Sequence, residues 1–271
     1  MQNGNRRITN GKGVSRQTAA LYPHEARHCG AGSAVLLCCG KRGGYMLNIL
    51  RAQALDESAT PEEIFQTLPD DIRGHCVRVA RYSGILADQM TILGVCRGDP
   101  LLTPEGCALL SKAARYHDIG KALMPCEVLY KPEALNRREW HIIHTHPTLA
   151  EDILQNALER QPDEQERLYW KLAQEIAACH HERWDGSGYP RGLKGNETPL
   201  AARICGIVDV YDAMTSVRPY RKKLTHEHAC CEILLREDGL YDPDILRVFR
   251  SCVESGRIHC GLTPVPASDG S

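Results

Sequence analysis

Histidines and carboxylates stand close together at three places in this chain. His117-Asp118 comes first, His180-His181 follows, and Asp209 and Asp212 come last. Imidazole nitrogens and carboxylate oxygens are the ligands that zinc, iron and manganese prefer, and paired cations of this kind activate water for hydrolysis. The sequence therefore predicts a polynuclear metal site built for hydrolysis.

The spacing within each pair indicates how the side chains are presented. Adjacent residues on a helix differ in direction by about 100°, so we expect His180 and His181 to serve two different cations. Asp209 and Asp212 are three residues apart, which places both carboxylates on neighbouring faces of one helix. A lone His-Asp pair more often caps a helix or lies at the surface. The alternative is a set of core and surface histidines that never meet.

The elements that would position these residues are helices. From about residue 60 apolar residues recur at helical spacing, and no stretch alternates with period two. Positions 72–93 predict one long helix that carries His75. Thr103-Pro104 is typical of an N-cap followed by proline, and this helix is expected to run through His117 and stop near Gly120.

Later helices are expected to deliver the remaining candidates. Asn136 with Glu139 is typical of a capping box, and the helix that it opens is expected to hold His146. A helix over 168–181 would present the histidine pair, and another over about 200–211 would present Asp209. We therefore predict an all-α fold, a helical bundle with a metal site in its core.

Charge is unevenly distributed along the 271 residues, although the net charge is only −1. Residues 1–55 carry eight Lys or Arg against one acid, Glu25, and show no periodicity. We expect them to form a disordered basic extension and 56–271 to form the folded domain. Such a tail is more often solvated than bound, so nucleic acid is not an expected partner.

The 13 cysteines include no Cys-x-x-Cys pair, which argues against a zinc ribbon or a thioredoxin-type site. Several fall inside helical patterns, where a thiol behaves as a small apolar residue. Reduced thiols and a cytoplasmic location are expected. The longest apolar run near the N-terminus, 34–39, is too short to span a bilayer, so no membrane span is expected.

Over roughly residues 60–256 the chain resembles the HD-GYP phosphodiesterases, a subgroup of the HD metal-dependent phosphohydrolases that degrade cyclic dinucleotides. The motifs are long, ordered and specific. In chain order they are His75 with Arg78, His117-Asp118-Ile119-Gly120-Lys121, His146-Pro147, His180-His181-Glu182, Asp185-Gly186-Ser187-Gly188-Tyr189-Pro190, Asp209, Asp212-Ala213-Met214-Thr215-Ser216 and Arg218-Pro219-Tyr220-Arg221.

The resemblance implies a set of metal ligands: His75, His117, Asp118, His146, His180, His181 and Asp209. Asp118 would bridge two cations, and Lys121 would lie against the scissile phosphate. Asp71 stands where some family members have a glutamate for a third metal, so two and three divalent cations both stay open. Iron or manganese is favoured. We expect His141 and His144 to be surface residues or partners of a ligand.

The resemblance also implies substrate contacts from Asp212, Arg218 and Arg221. The Gly188-Tyr189-Pro190 loop contains no plausible catalyst. It is either a rigid turn, a wall of the substrate pocket, or a docking surface for partners such as GGDEF-type cyclases.

The expected function is metal-dependent hydrolysis of a 3′–5′ cyclic dinucleotide, with cyclic di-GMP favoured and pGpG or GMP as product. One alternative is a hydrolase of another nucleotide, such as cyclic GMP-AMP or a mononucleotide. A second alternative is a catalytically silent regulator that binds a diguanylate cyclase. The filled ligand positions favour an enzyme.

Overall fold

The computed structural model describes residues 59–216, 223–235 and 239–259. The basic extension predicted over 1–55 lies outside the described residues, as do Arg218 and Arg221. Within the described residues the regular elements are helices, with no strand, which confirms the all-α prediction.

Side chains cap the start of two of the first three helices. Helix α1, Pro61–Gln66, opens with a capping box between Thr60 and Glu63. Helix α2, Asp70–Leu93, ends at Gly94, whose left-handed backbone suits glycine. Helix α3, Pro104–Ala114, begins where the Thr103 side chain accepts a hydrogen bond from the amide of Gly106.

Helix α3 ends three residues before His117, earlier than predicted. The chain turns through 115–118 and continues as the 3₁₀ helix Ile119–Leu123. An added Cβ at Gly120 would lie only 2.0 Å from the carbonyl oxygen of His146. The turn brings the backbone at Gly120 against that carbonyl, a contact that only glycine allows.

The predicted helix around Trp140 is in fact two helices. After the short α4, Cys126–Leu129, helix α5 covers Arg137–Ile143 and opens with the predicted Asn136–Glu139 capping box. Helix α6 then covers His146–Arg160, with Pro147 in its first turn. Proline has no amide hydrogen to continue the hydrogen-bond ladder of α5, so the chain restarts at His146.

The remaining helices follow the prediction closely. Helix α7, Glu164–Cys179, starts four residues earlier than expected because the Asp163 side chain caps the amides of Gln165 and Glu166. Helix α8 is Leu200–Thr215. Helices α9, His226–Leu234, and α10, Pro243–Glu254, are capped by the side chains of Thr225 and Asp242.

The helices pack around the segment that carries His117 and Asp118. Helix α2 contacts α3, α8 and α10, while α7 contacts α3, α6 and α8. Between them lie fully buried apolar side chains, among them Leu86, Leu110, Ile204 and Phe249. Each contributes about 1.5–3 kcal/mol by leaving water, which makes the bundle a firm frame for the site.

A membrane-crossing helix would need a long apolar stretch. None of the helices in the described ranges is both long and apolar enough to qualify.

Candidate metal centre

The structure brings all seven predicted histidine and aspartate ligands to one place. They come from α2, from the turn before the 3₁₀ helix, from the start of α6, from the residues just after α7, and from α8. Each is buried, with at most 9% of the residue exposed. The seven are His75, His117, Asp118, His146, His180, His181 and Asp209.

Two groups of ligand atoms form within this cluster, and in each group the atoms lie within 4.8 Å of one another. One group is Asp118, His146, His180 and His181, and the other is His75, His117 and Asp118. Asp118 belongs to both groups because its two oxygens face opposite ways. Its Oδ1 lies 3.2 Å from His146 Nε2, and its Oδ2 lies 3.5 Å from His117 Nε2.

Asp209 lies on the other side of the same space. Its Oδ1 is 3.0 Å from His75 Nε2 and 3.9 Å from His117 Nε2, while its Oδ2 is 4.0 Å from His181 Nδ1. It therefore faces a histidine of each group, as Asp118 does.

His180 and His181 do not diverge toward two cations as the helical spacing predicted. Both belong to the group with His146, and their ring centroids are 4.0 Å apart. Helix α7 ends at Cys179, so the ideal helical angle no longer applies at His181. His180 points Nε2 towards Asp118, whereas His181 directs Nδ1 towards Asp209.

Three of the histidines are oriented by their own turn. The Nδ1 of His117 donates to the carbonyl oxygen of Ala114 at 3.0 Å, and that of His180 donates to Ala177 at 3.0 Å. His146 donates to Ile143 at 2.7 Å. A carbonyl can only accept, so each Nδ1 carries the proton and each Nε2 presents its lone pair to the centre.

The break before α6 contributes to this orientation. In a continuous helix the carbonyl of Ile143 would accept from the amide of residue 147, which is proline and has no hydrogen. The ring of His146 takes that place. Pro147 thus leaves the carbonyl of Ile143 free to accept from the ring of His146 and to fix its orientation. The His-Pro spacing alone does not reveal this role.

His75 is oriented by a residue far away in the chain. Its Nδ1 donates to Asp212 Oδ2 at 2.7 Å, leaving Nε2 directed at Asp118 and Asp209. Arg78 holds both oxygens of Asp212, at 2.7 and 2.9 Å, and Ser216 Oγ donates to Asp212 Oδ2 at 3.0 Å.

The substrate contact predicted for Asp212 stays a prediction, and the structure shows which side chains hold its carboxylate. It is 1% exposed, and both of its oxygens are occupied by neighbouring side chains. It lies behind His75 and would support that histidine as a ligand, a common arrangement in metal sites. The three-residue spacing from Asp209 does not by itself predict the contact between Asp212 and His75.

The protonation states in the centre suit cation binding. Burial, followed by the neighbouring His117 and His146, lowers the pKa of His180 to about 3, and burial with His180 and His146 holds the pKa of His181 well below its usual value. Burial would raise the pKa of Asp118, but Lys121 and His117 hold it well below the usual range. The imidazoles of His180 and His181 are therefore neutral and the carboxylate of Asp118 is ionised near neutral pH.

Four buried ligand atoms have no hydrogen-bond partner within the described residues: His75 Nε2, His117 Nε2, Asp118 Oδ1 and His181 Nδ1. Leaving a buried polar atom unsatisfied costs about 1–3 kcal/mol, and such atoms are normally paired. Here all four face one space among nitrogen and oxygen donors. The donor set fits divalent cations, because coordination would satisfy each of these atoms.

Lys121 and Asp71 take different positions around the centre. The Nζ of Lys121 contacts Asp118 Oδ2 at 2.5 Å, and 16% of its side chain is exposed. Asp71 belongs to neither ligand group; it is exposed and accepts from Tyr130 Oη at 2.6 Å. His141 is exposed and His144 is partly buried.

The segment after His181 is fastened by Glu182, which the motif comparison left without a role. Glu182 Oε1 accepts from the amide of Arg191 at 2.7 Å, and Oε2 accepts from the amide of Leu193 at 3.0 Å. Burial raises the pKa of Glu182, although these amides act in the opposite direction. The carboxylate thereby fastens the backbone at Arg191 and Leu193 to Glu182, the residue that follows the candidate ligand His181.

A second glycine sets the distance between two ligand-bearing segments. An added Cβ at Gly206 would lie 2.5 Å from the carbonyl oxygen of His180. Helix α8 can approach His180 this closely only because residue 206 has no side chain. Gly120 plays the same part beside His146.

Comparisons with known proteins show what this chain is similar to. A family model described as "HD domain" matches residues 91–245. The chain is 36% identical over 184 residues to a "Probable cyclic di-GMP phosphodiesterase" of Vibrio cholerae, covering 68% of this chain and 41% of that protein. It is 38% identical over 175 residues to a "Cyclic di-GMP phosphodiesterase" of Thermotoga maritima, covering 65% and 43%.

A third relative carries a different name. The "3'3'-cGAMP-specific phosphodiesterase 2" of Vibrio cholerae is 34% identical over 140 residues, which are 52% of this chain and 25% of that protein. The chain thus spans less than half the length of these three relatives.

Proposed function

Because the chain belongs to the HD domain family, we propose that it is a metal-dependent phosphodiesterase that hydrolyses a 3′–5′ cyclic dinucleotide. The favoured substrate is cyclic di-GMP, the compound named for relatives from two organisms. The observation that carries the proposal is Asp118, whose two oxygens face two separate groups of histidines.

The proposed centre holds two divalent cations, with iron or manganese favoured by the mixed histidine and carboxylate ligands. His146, His180 and His181 would hold one cation, and His75 and His117 would hold the other, with Asp118 between them. Asp209 would complete the site from the opposite side. The exposed position of Asp71 favours two cations over three.

When bound, the cations supply positive charge that lowers the pKa of water and offsets charge on the phosphate. The protein's own residues prepare the site for this chemistry. The neutral imidazoles of His180 and His181 present their lone pairs, and Lys121 places an ammonium at the margin of the centre. That ammonium would stabilise the negative charge that builds on the phosphoryl oxygens during attack.

The residues of the centre differ in exposure. His117, His146 and His180 are completely buried, while His75, Lys121, His181 and Asp209 retain some exposure. The scissile phosphate would enter beside the more exposed residues, next to Lys121. Arg218 and Arg221 stay proposals for binding the rest of the dinucleotide, and they follow closely after α8 in the chain.

The test is product formation from cyclic di-GMP and, separately, from 3′3′-cyclic GMP-AMP. The protein is purified without oxygen and supplied with Mn²⁺ or Fe²⁺. Asp118→Ala should abolish turnover and reduce bound metal, whereas Asp244→Ala, which removes an exposed aspartate paired with Arg247, should leave both unchanged. Full activity in Asp118→Ala would refute the site.

The products also separate the rival functions. Preference for 3′3′-cyclic GMP-AMP would move the substrate assignment to the compound named for the third relative. Bound metal without turnover of either compound would favour a mononucleotide substrate or a silent regulator.

Cyclase docking at Gly188-Tyr189-Pro190 is a further proposal, supported by the exposure of Pro190. We place the protein in the cytoplasm, in agreement with the free thiols of its nine described cysteines.

A further inference from the structure

The Gly188-Tyr189-Pro190 turn places an aromatic ring against the metal centre. The ring of Tyr189 stacks on His181, with centroids 4.6 Å apart and planes 23° from parallel. On its other face it stacks on His144, with centroids 4.0 Å apart and planes 18° from parallel. Tyr189 is thus held between a candidate ligand and a histidine from the break between α5 and α6.

His181 differs from the other four histidines of the centre in how it is supported. Each of the others donates Nδ1 to a carbonyl or a carboxylate, and each presents Nε2 inward. His181 instead presents Nδ1 inward, and within the described residues that nitrogen has no hydrogen-bond partner. Metal-bound histidines nearly always have such a bond to fix the ring. At His181 it is the flat face of the Tyr189 ring that packs against the imidazole.

The backbone fixes Tyr189 firmly enough to serve in this way. Its amide donates to the carbonyl oxygen of His181 at 3.2 Å, so the two residues are joined by backbone as well as by rings. The preceding Gly188 packs so closely that an added Cβ would lie 2.4 Å from the backbone of Glu182 and Arg183. The ring of Tyr189 therefore has a set position relative to His181.

We propose that Tyr189, clamped from behind by His144, is the positioning residue that holds the imidazole of His181 in the plane needed for metal binding. Stacking takes the place of the hydrogen bond that the other four histidines receive. This inference rests on the proposed function, in which His181 is a ligand. It assigns a role to the tyrosine of the turn that neither the rigid-turn nor the docking interpretation contains.

The proposal makes the ring, not the hydroxyl, the essential part of Tyr189. Tyr189→Phe keeps the stack and should bind metal as the wild type does. Tyr189→Leu removes the flat face and should weaken the cation site shared with His146 and His180 by about tenfold, the low end of effects seen when a ligand's support is lost. His144→Ala should weaken the same site by a smaller factor, because it frees only the outer face of Tyr189.

The experiment is a Co²⁺ titration of the chelator-treated, full-length protein, followed by the visible absorption of the bound cobalt. Tyr169→Leu is the matched control, since Tyr169 contacts Tyr116 and Trp170 away from the centre and has a similar partial burial. It should bind both cations as the wild type does. His181→Ala is titrated alongside, and circular dichroism of each variant reports whether it is folded.

Each result bears on a different statement. If Tyr189→Leu binds cobalt normally while His181→Ala does not, the positioning role is overturned and the proposed ligand survives. If His181→Ala also binds normally, His181 is not a ligand and the proposed centre fails. Equal loss in Tyr189→Phe and Tyr189→Leu would assign the effect to the hydroxyl and overturn the stacking role. If Tyr189→Leu does not fold, His144→Ala decides, and normal affinity in it overturns the clamp.

Discussion

Asp212 and His75 are 137 residues apart in the chain and share a hydrogen bond of 2.7 Å between Oδ2 and Nδ1. The bond joins α8 to α2 and directs the other nitrogen of His75 into the centre. Arg78 holds the second oxygen of Asp212, so the carboxylate stays ionised: burial acts against this, but His75 and Arg78 lower its pKa to about 2.

The first prediction concerns this support. Asp212→Asn keeps the shape but removes the charge that strengthens the His75 hydrogen bond, so metal affinity should fall by about 10–100-fold. Metal titration followed by mass spectrometry of the metal content measures it. Ser216→Ala, which removes one neutral donor to the same oxygen, should change affinity by less than about threefold. Equal losses in the two variants would contradict a role for the charge.

A second prediction concerns Gly120. An alanine there would place its Cβ 2.0 Å from the backbone carbonyl of His146, and a backbone atom cannot move aside as a flexible side chain can. Gly120→Ala should lower the free energy of unfolding by about 3 kcal/mol or more and should reduce metal binding.

Urea unfolding of Gly120→Ala beside Gly98→Asn makes the comparison. Gly98 has a positive φ and no atom near an added Cβ, and asparagine tolerates that conformation, so this control should cost less than about 1 kcal/mol. Similar losses in both would show that conformational freedom, and not the contact with His146, explains Gly120.

A third prediction concerns Glu182. Glu182→Ala removes the acceptor for the amides of Arg191 and Leu193, so both should exchange hydrogen about tenfold faster. Residue-resolved exchange by nuclear magnetic resonance measures it. Glu197→Ala removes the acceptor for the amide of Lys194 only, and faster exchange at residues 191 and 193 in that variant would count against the assignment.

A fourth prediction concerns pH in the metal-free protein. The pKa of His180 and of His181 is depressed in the folded state, so below about pH 6.5 the unfolded chain binds protons that the folded chain does not. The free energy of unfolding should therefore fall as pH falls. His75 acts in the opposite direction, since Asp209 and Asp212 raise its pKa against the effect of burial, but it is one ring against two.

Calorimetry of chelated protein at about pH 7.5 and about pH 5.5 checks this, with the lower Tm expected at the lower pH. His141→Gln, which removes an exposed imidazole outside the centre, should show the same pH dependence. A Tm that rises towards pH 5.5 would mean that the two buried imidazoles are protonated in the folded state.

A fifth prediction concerns substrate binding. Arg218→Ala should raise KM for cyclic di-GMP by about tenfold or more, with a smaller effect on kcat, because a guanidinium that holds the dinucleotide acts before the chemical step. Steady-state kinetics measures both constants. Arg247→Ala removes an exposed arginine on α10 and serves as the reference. An unchanged KM would remove Arg218 from the substrate site.

The sequence predicted the parts of the fold that depend on neighbours in the chain. Thr103 and Asn136 begin helices where expected, because a cap acts within a single turn. The all-α class, which is confirmed, also follows from neighbours in the chain, because it was predicted from the helical periodicity of apolar residues. The end of α3 before His117 was not predicted, and the 3₁₀ helix that follows packs Gly120 against the carbonyl of His146 from another segment.

Within the centre, residue types predicted which side chains gather but not how each one acts. The role of Asp212 depends on His75 and Arg78, and the stack on Tyr189 depends on His144. These are contacts between distant segments, and no spacing within one helix encodes them. Helical spacing could not predict how His181 lies relative to His180, because α7 ends at Cys179.

Three histidines take their orientation from a carbonyl three residues earlier, while His75 takes its orientation from α8. A substitution that shifts a whole turn would move His117, His146 or His180 together with the carbonyl that holds its ring, so the tautomer would be kept. His75 has no such independence, because its tautomer is defined only while α2 and α8 are docked. The centre therefore reports on that single helix–helix interface: a mutation that loosens it would damage one cation site before the other, even where it touches no ligand.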